Sequence, residues 1–165
     1  MFKILDEACK PKRSTKYSAY IDLFSREDMT IGAGETKVIP LGVKLALNKL
    51  SKALFEVSYS YILRSHNKVL QEEFDKFMKS HYLEIVLRSS LGIRGLTIPN
   101  GKGIIDLDYP DEIGLIIHNL IKMSTNQGIP DQYLLKPFYI KKGQKVAKCA
   151  LKEHKSYLMG DEASL

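Results

Sequence analysis

The stretch Gly103–Glu112 reads "GIIDLDYPDE" and places four acids, Asp106, Asp108, Asp111 and Glu112, in a chain whose formal net charge is +6. On either side, "GIID" (Gly103–Asp106) and "IGLIIHN" (Ile113–Asn119) have the composition of strands. Pro110 suits the second position of a tight turn, and Asp111 tolerates the left-handed conformation that follows one. The spacing predicts a hairpin with its tip at Asp106 to Glu112. Solvation alone accounts for acids at such a tip. A second reading is that they hold water or metal for a reaction.

Outward from this segment the chain reads mostly as short strands. "YSAYIDLF" (Tyr17–Phe24) is rich in β-formers. "TKVIPLGVKLAL" (Thr36–Leu47) follows a "GAGE" turn, with Pro40 and Gly42 marking a bulge or edge. "FEVSYSY" (Phe55–Tyr61) alternates strictly, and "YLEIVL" (Tyr82–Leu87) is strand-like. "FYIKKGQKVAKCAL" (Phe138–Leu151) gives two strands around a Lys142-Gly143 turn. Short strands at this spacing predict a mainly β sandwich or barrel.

One stretch breaks the pattern. From about Ile62 to Ser80, Ile62, Val69, Leu70, Phe74 and Phe77 recur at helical spacing. Lys68–Glu72, Glu72–Lys76 and Asp75–Lys79 are opposite charges four apart on the other side. An inserted amphipathic helix is expected, packed on the sheet or on a partner. "KMSTNQGIPDQ" (Lys122–Gln132) reads as a polar loop without regular structure, and the tail after Leu151 lacks a clear period and is expected to be mobile.

The 165 residues suit a single domain with its own core. No apolar run approaches the ~20 residues that span a bilayer. The start, "MFKILDEACK", carries acids where a signal peptide would be basic and then apolar, so a soluble intracellular protein, cytoplasmic or otherwise, is expected. Cys9 and Cys149 form no metal-ligand or disulfide spacing and read as reduced, partly buried residues. His66, His81, His118 and His154 are too scattered for a metal motif. The basic balance invites an anionic partner. Aromatics are not interleaved with arginines as a base-stacking platform needs, so nucleic acid is not indicated.

Upstream of the acids, "LRSSLGIRG" (Leu87–Gly95) leaves a strand with a guanidinium fork, two hydroxyls and two glycines, a set suited to phosphate. The order is informative: Asp22 on a strand, then Arg88-Ser89-Ser90, then "IDLDY", then a lysine-rich turn. In that order the chain resembles the trimeric dUTPases of the dUTPase and dCTP deaminase superfamily. "AYIDL" (Ala19–Leu23) resembles the first motif, with Tyr20 in place of its glycine. Arg88, Ser89, Ser90 and Leu91 match the second. Asn100, Gly103, Ile105, Asp106, Asp108, Tyr109 and Glu112 match the third at full spacing. "GQKVAK" (Gly143–Lys148) keeps part of the fourth, with Gln144 and Lys148 at its aspartate and glutamine positions. No stretch matches the family's glycine-rich fifth motif. The resemblance covers most of the chain outside Asn48–Met78 and the tail.

The resemblance implies a jelly-roll-like β-barrel, with the helix at about 62–80 lying in an insertion at about 48–78. It implies a homotrimer with sites between subunits, a deoxyuridine nucleotide as substrate and Mg²⁺ on its triphosphate. The reaction would be dUTP to dUMP and pyrophosphate. Asp106 would be the general base and Arg88 a catalytic cation. Ser89, Ser90, Asn100, Gly103, Ile105, Tyr109 and Lys148 would bind substrate, and Asp22 would hold the metal through water. Asp108 is expected to pair within the hairpin or with Arg88, and Asp111 and Glu112 to be rim residues. Two other readings stand beside this one. A dCTP deaminase needs a glutamate in the strand after the third motif, where Ile116 stands. A non-catalytic nucleotide-sensing or protein-binding module on the same scaffold would explain the missing fifth motif and the insertion.

Overall fold

The computed structural model describes residues 1–120 and 137–160. In chain order the strands are β1 (Phe2–Ile4), β2 (Ile21–Phe24), β3 (Met29–Ile31), β4 (Thr36–Pro40) and β5 (Val43–Leu45). Three helices follow, α1 (Leu47–Phe55), α2 (Tyr59–Arg64) and α3 (Lys68–Ser80). After them come β6 (His81–Leu87), α4 (Ser89–Ile93), β7 (Leu96–Thr97), β8 (Gly103–Asp106), β9 (Gly114–Asn119), β10 (Phe138–Ile140) and β11 (Lys145–Glu153).

Among the described residues every ladder is antiparallel. The four-stranded sheet runs β2-β11-β6-β8, the three-stranded sheet β4-β9-β7, and β1-β5 and β3-β10 are pairs. The fold is mainly β and jelly-roll-like; among the described residues the ladders do not join into one closed ring. In β6 the alternation sends Leu83 and Ile85 into the core, where they are 1% and 0% exposed. Leu23, Ile39, Leu115, Ile117, Val146 and Cys149 come from the neighbouring strands into the same cluster. Burying each such aliphatic side chain contributes about 1.5–3 kcal/mol against chain entropy.

The expected hairpin over Asp106 to Glu112 does not form. β8 pairs with β6, whereas β9 pairs with β4 and β7. The segment is a corner between two sheets, and Leu107, 2% exposed, turns inward to anchor it. The Lys142-Gly143 turn is also a corner, because β10 pairs with β3 and β11 with β2 and β6. In "YSAYIDLF" only Ile21–Phe24 is strand.

The expected strand over Phe55–Tyr61 is a helix junction. Glu56 ends α1 in the left-handed conformation, Ser58 caps α2 by accepting from the Tyr61 N–H, and Ser51 Oγ donates to the Val57 carbonyl at 2.6 Å. The alternating aromatics face a helix instead of a sheet: the Phe55 and Tyr59 rings lie 5.8 and 5.2 Å from Phe74. The expected single helix over Ile62–Ser80 is two, broken where Asn67 caps α3 by accepting from the Leu70 N–H. Asp75 and Lys79 pair at 2.8 Å as the spacing predicts. Phe77, Met78 and Leu47 dock this helical insertion on the main core.

The chain past Leu151 keeps more structure than expected. β11 continues to Glu153, and Ser156–Met159 forms a 3₁₀ turn. The loop expected over Lys122–Gln132 lies outside the described residues.

Both cysteines are buried and reduced. Burial pushes the Cys149 thiol up to about 12, with Asp22 adding to it, so neither metal binding nor nucleophilic attack suits this group. Cys9 also fixes the β4–β5 turn. Gly42 has φ +64°, and a Cβ there would lie 2.6 Å from the Cys9 Cβ and Sγ. Gly42→Ala combines left-handed strain with overpacking against a fully buried neighbour. It is expected to cost about 2–4 kcal/mol in urea unfolding; a loss under about 0.5 kcal/mol, the range of a neutral surface change, would show that the turn yields freely.

Candidate functional site

Register partners in an antiparallel ladder project to the same side. On the face of the four-stranded sheet opposite the core, Asp22 pairs with Lys148 and Lys148 with Val86. Ala150 and Ile104 flank Glu84, while Lys152 and Asp106 flank Tyr82. Asp22 and Asp106 thus occupy opposite corners of one face. Arg88 continues β6 at the Asp22 end, its N–H donating to the Val146 carbonyl at 2.9 Å.

The Asp22 corner is cationic and hydroxyl-rich. Asp22 is 7% exposed. Its Oδ2 meets Lys145 Nζ at 3.1 Å and accepts a hydrogen bond from Ser14 Oγ. Burial works against its charge, but the bonds from Ser14 and Lys145 outweigh that and hold the carboxyl below the usual range. Ser89 and Ser90, both exposed, open α4, and their N–H groups have no partner within that helix. Buried Leu91 anchors the turn from below.

This corner suits a hydrated hard cation. Asp22, its Oδ2 engaged by Ser14 and Lys145, could hold such an ion through water, and among the described residues no group of three or more His, Cys, Asp or Glu could hold a metal ion alone. Mg²⁺ commonly keeps several waters and takes one or two protein carboxylates when it rides on substrate phosphates. Asp22 is the residue that would hold it.

At the other end, β7 and β8 are consecutive yet are terminal strands of different sheets. The chain forks between them at a turn closed by the Gly101 N–H donating to the Ile98 carbonyl at 3.0 Å. Backbone groups on the unladdered edges of both strands can therefore hydrogen-bond a planar heterocycle. Asn100 is exposed in the fork. Gly103 faces Ile85 so closely that a Cβ would lie 3.0 Å from the Ile85 Cβ. Ile105 packs on the core, Asp106 is exposed at the strand end, and Tyr109 is 41% exposed beyond it.

Within one chain these two ends stay apart. Asp106 is opposite Tyr82, six positions along β6 from Arg88, which corresponds to roughly 20 Å of strand. What lies beside Asp106 is the helical insertion. Asp75, Met78 and Lys79 of α3 line a hollow of about 350 Å³ with Asp106, Asp108, His81 and His154. Among the described residues Asp108 makes no pair in the corner or with Arg88, which is at the far end of β6; the missing hairpin removes its expected partner. Glu112 is a structural tie, bonded to Arg26 at 2.6 Å and accepting from the Gly42 N–H at 3.2 Å.

Four contributors escaped sequence reasoning: Ser14, Glu84, Lys102 and Tyr82. Glu84, 6% exposed, accepts from the Tyr20 and Tyr82 hydroxyls at 2.9 and 3.0 Å and from Lys102 Nζ at 2.9 Å. The bond from Lys102 is the main influence holding its carboxyl below the usual range. The one sequence signal was Tyr20, a large residue at the family's glycine position.

No family model matches the chain. The deoxyuridine 5′-triphosphate nucleotidohydrolase of Rickettsia felis is 27% identical over 158 residues, covering 94% of this chain and 78% of that protein. The variola virus protein of the same name is 28% identical over 130 residues, covering 79% and 67%. Among solved structures, the Streptococcus mutans dUTPase superposes with a TM-score of 0.59 at 22% identity, covering 93% of this chain and 95% of that one. The dUTPase of EIAV gives 0.55 at 22% identity, covering 94% and 88%. The sheets and corners described above thus form the β fold of the dUTPase structures. In sequence, over nearly its full length, and in fold, the chain is similar to the dUTPases. At the position where a deaminase needs its glutamate, Ile116 is paired with Val38 in β9 and half exposed. Among the described residues, no helix is long and apolar enough to cross a membrane.

Proposed function

We propose that this chain hydrolyses dUTP to dUMP and pyrophosphate at sites shared between copies of itself, in a homotrimer. One observation carries the reading. The cation- and hydroxyl-rich corner at Asp22 and Arg88 and the forked, open-edged segment Asn100–Tyr109 lie at opposite ends of one sheet. Each is half of a nucleotide site, and two copies supply a whole one.

In that site the fork takes the base, with Asn100 and the backbone of Gly101–Gly103 reading the uracil edge. Tyr109 covers the deoxyribose and leaves no room for a 2′-hydroxyl. Arg88, Ser89 and Lys148 of the neighbouring copy, with the free N–H near Ser90, take the phosphate oxygens. The Asp106 carboxylate removes a proton from water as its oxygen bonds to the α-phosphorus. The bond from that phosphorus to the α,β-bridging oxygen breaks, and pyrophosphate leaves with the electron pair. Arg88 meets the negative charge that gathers on the transferred phosphoryl group. Asp22 would hold Mg²⁺ through water, and the ion would supply further neutralisation of the triphosphate charge. A structural Mg(II) ion is described for a phage φ11 dUTPase of S. aureus.

Pyrophosphate release is expected from dUTP with Mg²⁺ and only weakly from dCTP or dTTP. Ammonia release from dCTP would overturn the reading in favour of deamination. Tight dUTP binding without turnover would overturn it in favour of a sensing scaffold.

A further inference from the structure

Glu84 presents a physical puzzle that the proposed chemistry leaves unused. The residue is 6% exposed, on the face of the sheet away from the core, and nothing in the reaction calls for it. A buried charge is tolerated only when its lone pairs are met. Here they are: Oε1 by the Tyr20 hydroxyl, and Oε2 by the Tyr82 hydroxyl and Lys102 Nζ. The Tyr20 ring forms the lid, with the Lys148 and Lys152 ammonium groups 5.9 and 6.0 Å from its centre. A glycine at position 20 would leave Oε1 without its hydroxyl donor, with only the Tyr82 and Lys102 bonds to Oε2 remaining.

The partner that matters is Lys102, because of where it stands. It lies in the turn between β7 and β8, next to Gly101 at φ +90°, around which a Cβ would meet nothing within 4 Å. That turn is open on its outer side. Among the described residues, the bonds from Lys102 to Glu84 and, at 3.5 Å, to Tyr82 are the side-chain hydrogen bonds that tie residues 99–102 to the sheet.

We propose that Glu84 is a positioning residue for base recognition: through Lys102 it holds the fork turn in the geometry that accepts the heterocycle, with Tyr20 shielding the pair. This rests on the nucleotide reading above and adds a specificity element to it. Residues that touch no substrate set the affinity of the nucleoside end.

The test is Glu84→Gln, which keeps shape and removes charge, alongside Lys102→Met and the double variant. KM for dUTP and Kd for dUMP are each expected to rise about tenfold, as loss of one charge-assisted tether implies. kcat and inhibition by pyrophosphate should stay within about twofold, because the phosphate end is untouched. The double variant should be no worse than either single one, since both remove the same interaction. In the ligand-free chain, amide exchange at Gly101–Gly103 should quicken in Glu84→Gln while that of Leu83 and Ile85 does not. Unchanged dUMP affinity, an equal loss for pyrophosphate, or unchanged exchange in the fork would overturn the inference. Absence of dUTP turnover by the native chain would overturn the proposed function instead, and the exchange measurement would still decide the clamp.

Discussion

Asp106→Asn is expected to lower dUTP turnover by about 10²–10⁴-fold, the range a positioned general base contributes, while nucleotide still binds. The substitution is nearly isosteric, so its effect isolates proton removal. The local fold does not depend on the carboxylate, because the turn is closed by the Asp106 backbone carbonyl, which accepts from the Tyr109 N–H at 3.0 Å. Among the described residues, no side-chain hydrogen bond or ion pair of Asp106 is lost either. Titration with a non-hydrolysable dUTP analogue should give a Kd within a few-fold of native, with pyrophosphate release nearly absent. Turnover at the native rate would remove Asp106 from the chemistry and leave the corner acids as solvated architecture.

The strands were legible where alternation and turn residues agree. "YLEIVL" and "IGLIIHN" emerge as β6 and β9 within a residue or two, and Asn67 and Ser58 are ordinary helix caps in retrospect. What failed was pairing. Two strand-like runs around a tight, acidic turn are a strong local signal for a hairpin, yet β8 and β9 leave that turn into different sheets. The decisive residue is Leu107, an apolar side chain between two acids that buries itself and turns the chain through a corner. Local turn chemistry cannot distinguish a hairpin tip from a corner, because partner strands far away in sequence make the difference. Phe55–Tyr61 failed in the same way, since an alternating aromatic run is consistent with a strand until a helix supplies Phe74 to cover it.

The site divided along a similar line. The motif residues, Arg88 with two serines and Asp106 before Tyr109, stood out through the resemblance to the dUTPases and the order of the motifs. Glu84 was invisible because a glutamate at an outward strand position looks solvated. Only the structure reveals that two tyrosines and a lysine close over it.

Mixing two inactive chains, Asp106→Asn and Arg88→Ala, is expected to restore activity, and this outcome tests the composite site more severely than either variant alone. The separation along β6 places Asp106 and Arg88 at opposite ends of one strand's register. No side-chain rotation spans roughly 20 Å of strand, so a single copy cannot bring base and cation to one phosphorus. If each site takes Asp106 from one copy and Arg88 from the next, random exchange at equal concentrations leaves about one site in four with both native residues. Denaturing and refolding the two together should therefore recover about a quarter of native turnover per site, whereas refolding each alone should recover almost none. The stoichiometry carries the discrimination. Intact sites arise only in mixed assemblies, so the recovered activity should follow the product of the two chain fractions and peak at equal amounts. Activity near zero at every ratio, with mixed assemblies demonstrated by a tag on one chain, would mean that each copy builds its own site, and the two ends of the sheet would then need a different explanation.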